Sequence, residues 1–302
     1  MKQSLKKIVI FGVGLIGGSF ALALKSAGLS SLIVGVGRNN DNLRSAINLG
    51  VIDEVQNDIE KAIHEADLIF IATPVAQTPL ILNAIAPHLS SKTIVTDAGS
   101  TKSDIQNYVI TASDYARDKK SFLSNFIGGH PIAGSEKSGV NAANPDLFKG
   151  KNVILTPNSD TSDETLRVVK SLWEATGAAV TEMSAQKHDQ IFAAVSHLPH
   201  ILSFALVANI ASRSNSSELF DFAASGFRDF TRIAGSSPEM WRDICLANGK
   251  ALYQELESYK SSLEELSRLI SNKDGSGLEA LFSNASIARN QWNEKKKTTQ
   301  DD

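Results

Sequence analysis

The chain has 302 residues, 42% of them hydrophobic and 21% charged, and carries a formal net charge of -3. This length suits two domains with a substantial core, and this balance excludes a basic nucleic-acid-binding face and a long disordered acidic block. The single cysteine, Cys245, excludes an internal disulfide and a multi-cysteine zinc site, and it fits a reducing compartment.

The first apolar run does not read as a secretory signal, because Gly12, Gly14, Gly17 and Gly18 break it. It reads instead as a buried strand from Lys7 to Phe11, followed by a helix from about Leu15 to Ala27. A second strand is expected at Ser31 to Val36 and a helix at Asp41 to Leu49. Further strands are expected at Asp67 to Ala72, Thr93 to Thr96, Phe126 to Gly129 and Asn152 to Thr156. Strands alternating with helices predict an α/β fold, a mainly parallel sheet covered on both faces. Right-handed crossovers then bring the C-terminal ends of the strands to one rim, where ligands bind.

Beyond residue 182 the pattern changes. From Ser184 to about Asn290 the periodicity is helical and no strand is expected, so the boundary is placed between residues 182 and 183, with a cleft shared by the two parts. The apolar run Ile191 to Ala211 approaches the length of a membrane span. It contains His197, Pro199, His200, Ser203 and Asn209, and is read as a helix buried in protein. Ser236-x-x-Glu239 is read as a helix start, Lys273 to Gly277 as a turn between two late helices, and the polar tail after Trp292 as frayed.

Gly12-x-Gly14-x-x-Gly17 sits between the first strand and the first helix, the context of a dinucleotide-binding turn. Its glycines serve a tight turn, close approach of a pyrophosphate, and close helix–strand packing, while the helix N-terminus offers N–H groups to the diphosphate. Gly12, Gly14, Leu15, Ile16 and Gly17 are therefore candidate cofactor-binding residues, joined by Arg38 and Thr73 at the ends of the second and third strands. The second strand ends Gly35-Val36-Gly37-Arg38-Asn39-Asn40, and the first acid is Asp41. No acid at the strand tip holds a ribose 2′-hydroxyl, whereas Arg38 can pair with a 2′-phosphate, so NADP is expected in preference to NAD. Asn39 and Asn40 are expected to add neutral donors.

Several polar residues fall on the same rim. Ser100, in Asp97-Ala-Gly-Ser100-Thr101-Lys102, is either a helix N-cap or a hydroxyl facing the ligand. His130, in Gly128-Gly129-His130-Pro131, is placed for proton transfer near neutral pH. A long loop from Gly134 to Gly150 can wall the site. In the helical part, Pro199 should kink the chain, and His197 and His200, three residues apart, are expected to face one cleft. No third ligand follows them at a spacing that suggests a metal. Arg228 and Arg232 are expected to share a helix face, as a carboxylate clamp or as partners of Asp229.

Taken together, Gly12-x-Gly14-x-x-Gly17-Gly18-Ser19, Asp97-x-x-Ser100-x-Lys102, Gly129-His130-Pro131-Ile-Ala-Gly134-Ser-Glu136, Ser196-His197-Leu198-Pro199-His200 and Gly226-Phe227-Arg228-Asp229 resemble the prephenate/arogenate dehydrogenase family, from about Lys7 to Ala288. The resemblance implies a modified Rossmann domain over 1–182 and an all-helical substrate-binding and dimerisation domain over 183–302. It implies oxidative decarboxylation of prephenate, arogenate or both in tyrosine biosynthesis, by a cytoplasmic homodimer. Catalytic roles fall to His130, as the base that takes the ring-hydroxyl proton, and to Ser100, which helps position that hydroxyl and the histidine. Arg232 holds the ring carboxylate, and His197, His200, Glu136 and Trp241 line the substrate pocket. Glu136 suits the amino group of arogenate and His200, as a donor, the keto group of prephenate, so dual use is expected. L-tyrosine is a candidate inhibitor at the same pocket. The resemblance further implies the minimal form, without a chorismate mutase segment or an ACT domain.

Two other readings remain at this stage. One is a different two-domain NADP-dependent hydroxy-acid dehydrogenase, although no helical-domain lysine in matching context supports it. The other is a nonenzymatic NADP(H)-sensing dimer, which would have no need for Ser100, His130 and Arg232 on one rim.

Overall fold

The computed structural model describes residues 5–134 and 137–298. Contacts divide the chain into two compact units, one ending at Leu252 and the other beginning at Tyr253. The first is built on an eight-stranded sheet of order β3-β2-β1-β4-β5-β6-β7-β8. Its strands are β1 (Leu5–Phe11), β2 (Ser30–Val36), β3 (Glu54–Val55), β4 (Leu68–Ile71), β5 (Ile94–Asp97), β6 (Phe126–Pro131), β7 (Asn152–Thr156) and β8 (Ala179–Glu182). All neighbours run parallel except β6 and β7, which pair antiparallel with His130 opposite Ile154.

The expected strands are all present. The sequence reading omits β3 and β8, which are short or largely exposed edge strands without the apolar run that marks the others. The central strands are apolar on both sides because each face is covered. One face holds Ile8, Ile10, Phe20, Phe70 and Trp173 among its buried residues, and the other holds Val9, Phe11, Ile69, Ile71 and Val109. The ring centroids of Phe20 and Phe70 lie 4.3 Å apart, and those of Phe20 and Trp173 lie 4.6 Å apart. This cluster fixes the helix Leu15–Ser26 against the sheet and so aims the first turn of that helix at the rim.

The chain after β6 packs back on that helix and on the helix Asn40–Asn48 rather than standing clear as a loop. Val140 N–H donates to Asn42 Oδ1 at 3.2 Å, and Asn144 N–H donates to Ser19 Oγ at 2.9 Å. From Ser184 the chain is helical. The Pro199 break takes the form of a π-turn at Ala193–His197, after which the helix Leu198–Ala211 carries the proline in its first turn. By length and composition Ala185–Ala211 is apolar enough to cross a membrane, and its most apolar window is only 28% buried. The expected burial is therefore met on one side only. His188, Phe192, His197 and Ser203 face inward, while Ile191, Val195 and Leu206 are exposed.

Other local expectations shift. The helix Pro238–Ala247 is capped by Ser237, whose hydroxyl accepts from Met240 N–H, and not by Ser236. Arg228 and Arg232 do not share one regular helix, because Ser225–Thr231 ends before Arg232, which opens a 3-10 turn. The second unit continues the helix Gly249–Ser271, turns at Lys273 with φ of 53°, and forms the helix Gly275–Thr298. That last helix runs past Trp292, where a frayed tail is expected; the helix-favouring run Glu294-Lys295-Lys-Lys extends it.

Candidate active site

The glycine turn meets the steric demands of a dinucleotide. Gly12 has a φ of 91°, and a Cβ there would lie 2.6 Å from the Ala72 carbonyl oxygen. A Cβ on Gly17 would lie 2.2 Å from the Gly12 carbonyl oxygen, so helix and turn touch only because both residues are glycine. Gly14 is different: among the described residues, its chain neighbours aside, nothing lies within 4 Å of its would-be Cβ. Space is left open there, beside the N–H groups of the first helical turn, which carries no acid. Thr73, just beyond β4, has a buried hydroxyl with no hydrogen-bond partner among the described residues. These features fit a bound diphosphate.

Just past the end of β2, Arg38 is exposed, and Asp41 lies in the first turn of the helix Asn40–Asn48. Asn39 Oδ1 caps that helix by accepting from Asn42 N–H at 3.0 Å, a bond that does not use its Nδ2 donor.

Around His130 the rim is held by a buried ion pair. Asp97 and Lys102, both fully buried, bond through Oδ2 and Nζ. Asp97 also accepts from Gly99 N–H at 2.7 Å and from Gly129 N–H at 3.2 Å, tying the loop after β5 to β6. The two glycines before His130 serve close packing rather than exposure of the ring. A Cβ on Gly128 would lie 2.5 Å from Thr156 Oγ1, and one on Gly129 2.7 Å from the Asp97 carbonyl. His130 is half-buried. Its Nδ1 lies 2.8 Å from His188 Nε2, and its ring packs on Phe192 at 4.9 Å.

His188 and Asp189, which the sequence reading omits, join this cluster. His188 Nδ1 lies 2.8 Å from Asp189 Oδ1, and the same carboxylate accepts from Lys102 N–H at 2.9 Å and Ser103 N–H at 2.8 Å. Asp189 thus fills the capping role at the helix Ser103–Ser113 that Ser100 is expected to hold; the residue before that helix, Lys102, makes no side-chain cap. Ser100 stays in the loop at the tip of β5, and among the described residues no hydrogen bond joins it to His130. No local signal marks Lys187-His188-Asp189-Gln190, because its partners lie dozens of residues away.

A continuation of the same network reaches the other histidines. Asn248 Nδ2 donates to the Asp189 carbonyl at 2.8 Å and lies 3.1 Å from His197 Nδ1. His197 packs edge-on to Trp241 at 6.0 Å, and His200 stacks on the same indole at 3.8 Å. The structure therefore brings His197, His200 and Trp241 together. Trp241, which packs against Val75 just beyond β4, has a buried indole N–H without a partner among the described residues. His200 Nδ1–H donates to the Ser196 carbonyl at 2.8 Å, so the Nε2 of the neutral ring is an acceptor and not the donor expected for a keto group. Arg232 is exposed and near enough to His200 to disfavour its protonation. Glu136 lies outside the described residues.

All four site histidines are held toward the neutral form. Burial pushes His130 well below its ordinary value, with His188, Lys102 and His197 adding to the effect. His188 and His200 are lowered chiefly by burial, and His197 is brought by burial to about 4. Burial opposes the charge of Asp189, but hydrogen bonds from His188, Ser103 and Lys102 outweigh it and hold the carboxyl below its ordinary range.

Comparison with known proteins accounts for this arrangement. The family model for the prephenate dehydrogenase nucleotide-binding domain matches residues 20–182, and that for the prephenate dehydrogenase dimerization domain matches 184–284. Prephenate dehydrogenase of Bacillus subtilis is 37% identical, over 94% of this chain and 76% of its own. Cyclohexadienyl dehydrogenase of Zymomonas mobilis is 35% identical over 94% and 95%. The crystal structure of A. aeolicus prephenate dehydrogenase in complex with hydroxyphenyl propionate and NAD+ has 37% identity and a TM-score of 0.87, covering 96% of this chain and 99% of that one. Synechocystis arogenate dehydrogenase has 32% identity and a TM-score of 0.77, covering 95% and 99%. With both family models matched in order along one sheet-and-helix chain, the protein belongs to the prephenate dehydrogenase family.

Proposed function

We propose that this chain oxidatively decarboxylates prephenate, arogenate or both, yielding 4-hydroxyphenylpyruvate or tyrosine, as a step of tyrosine biosynthesis. The observation that carries this reading is half-buried, neutral His130, bonded to His188 and linked through Asp189 and Asn248 to His197, which together with His200 packs on Trp241. His130 accepts the proton of the ring hydroxyl, while Ser100, on the neighbouring loop, helps position that hydroxyl. A nicotinamide held at the glycine turn would supply the hydride acceptor for the same carbon. Loss of the ring carboxylate as carbon dioxide then aromatises the ring and drives the reaction, and the phenolate oxygen takes its proton back from His130. Arg232 holds that carboxylate in register, and His197, His200, Glu136 and Trp241 complete the pocket. The unpartnered Trp241 N–H is satisfied by a substrate oxygen, and L-tyrosine competes for the same pocket.

The preferred cofactor is NADP, with NAD as the weaker alternative. Gly12, Gly14, Leu15, Ile16 and Gly17 hold the diphosphate, Thr73 lies beside it, and Arg38 takes the 2′-phosphate. The absence of an acid from Val36 to Asn40 supports this choice. The division of labour follows residues 1–182 and 183–302. The protein works as a cytoplasmic homodimer, in keeping with its lone cysteine and with the apolar faces that one copy leaves exposed.

One assay tests the reading. The protein is mixed with prephenate or arogenate and with NAD or NADP, and the reduced cofactor is followed. Activity is expected on at least one substrate, with NADP favoured roughly ten- to a hundredfold and the ratio collapsing in Arg38→Ala, as one charge-assisted contact allows. Inactivity in all four combinations would redirect the search to other hydroxy acids. An unchanged cofactor ratio in Arg38→Ala would remove Arg38 from the site.

A further inference from the structure

Proton flow through imidazoles is fixed by which ring nitrogen carries hydrogen, and here the hydrogen bonds leave one arrangement. Asp189 is ionised, and its Oδ1 accepts from His188 Nδ1 at 2.8 Å. The proton of neutral His188 is therefore on Nδ1, which makes its Nε2 an acceptor. That Nε2 lies 2.8 Å from His130 Nδ1, so His130 carries its own proton on Nδ1 and keeps a free lone pair on Nε2. The start of the chain is equally constrained. Asp189 is pinned by the Lys102 and Ser103 N–H groups at the first turn of Ser103–Ser113, and its backbone carbonyl by Asn248.

We propose that Asp189 and His188 are positioning residues that fix the ring tautomer and orientation of His130, presenting its Nε2 to the substrate hydroxyl as the proton acceptor. The inference rests on the proposed role of His130 as base and deepens it. When His130 Nε2 takes the proton, the resulting imidazolium keeps its Nδ1–H bond to His188, and the polarised His188 draws on the Asp189 carboxylate. No covalent bond changes in either positioning residue. The charged and titratable groups that face this chain are Asp97 at the end of β5, Lys102 from the loop after it, Asp104 from the following helix, and His197 from the π-turn. Of these, the Lys102–Asp97 pair is internally compensated, so Asp189 is the carboxylate free to support a cation on His130.

The test has two arms. In the wild-type protein, nitrogen-15 NMR of labelled histidines should find His130 and His188 both protonated on Nδ1. This arm needs no turnover, so it stands even if neither substrate reacts and the proposed function fails. In the second arm, Asp189→Asn should lower kcat about 10²-fold or more with KM nearly unchanged, and should move the acid limb of the pH profile to lower pH, because the imidazolium loses its carboxylate. His188→Gln, which keeps an acceptor for His130 Nδ1–H, should retain more activity than His188→Phe. A purely structural role would reduce the amount of active protein and leave the pH profile where it was. An Nε2–H tautomer of His130 in the wild type, or an unmoved acid limb in folded Asp189→Asn, overturns the proposal. If Asp189→Asn does not fold, the NMR result and the Gln–Phe comparison at His188 decide it.

Discussion

His130 must be neutral to accept a proton, and its surroundings keep it so. Burial is the largest influence, followed by the electrostatic effect of His188, the Lys102 cation and His197. The sign follows directly: a depressed pKa means the base form persists below the ordinary histidine value of 6.5. We expect kcat/KM to stay level from neutrality down through that value and to fall only at lower pH. A limb centred above 6.5 would show that another group limits the rate. His130→Asn removes the base but keeps the size of the side chain near its backbone. It should lose on the order of 10²–10⁴ in turnover while cofactor binding, measured by fluorescence or calorimetry, is retained. Near-full activity in that variant would assign the proton to a different acceptor.

Elements determine where such residues meet, and glycine turns and one buried ion pair carry most of that task. Gly12 and Gly14 are one residue apart but have opposite environments. Gly12→Ala puts a methyl at 2.6 Å from the Ala72 carbonyl and strains a φ of 91°, so it should destabilise the fold by about 1–3 kcal/mol and abolish cofactor binding. Gly14→Ala meets, among the described residues and its chain neighbours aside, no atom within 4 Å and should leave the melting temperature unchanged while weakening cofactor affinity about tenfold or more. Equal affinity in Gly14→Ala would place the pyrophosphate elsewhere. Between β5 and β6, Asp97 receives two backbone N–H groups as well as Lys102. Lys102→Met would strand the Asp97 charge in the interior at a cost of about 3–5 kcal/mol, read as a lowered denaturation midpoint. Adding Asp97→Asn should recover part of that loss, since the uncompensated charge then disappears. A single variant as stable as the wild type would mean that water reaches the pair.

At the scale of the whole molecule, the notable feature is how much apolar surface one copy leaves uncovered. Phe222 is 84% exposed, and in the second unit Tyr253, Leu263, Ile270, Phe282, Ile287 and Trp292 are exposed as well. Patches of this kind mark contact sites in proteins that remain soluble. The match to a dimerization-domain family model over 184–284 takes in Phe222, Tyr253, Leu263, Ile270 and Phe282. Sedimentation at micromolar concentration should therefore give twice the chain mass across a wide dilution range. A monodisperse monomer would require another cover for these faces.

Sequence alone specified the repeating strand–helix order, the glycine turn and the motifs that mark the family. These are local or linear signals: hydrophobic period, turn chemistry and residue order are written along the chain. His130, His197 and His200 could be singled out in the same way, beside a proline or a glycine pair, whereas Trp241 entered only through the resemblance. What folding alone decided are the pairings across distance. His188 and Asp189 sit on an ordinary amphipathic helix, and only packing sets them against His130, 58 residues away, and against the Lys102 and Ser103 N–H groups. The edge strands β3 and β8 exist because neighbouring strands offer them backbone partners, which no apolar run of their own announces. Ser100 was a reasonable cap by its residue type, but a carboxylate from a distant helix reached the same N–H groups. Periodicity records which side of an element is buried, whereas the identity of what buries it is a property of the assembled chain.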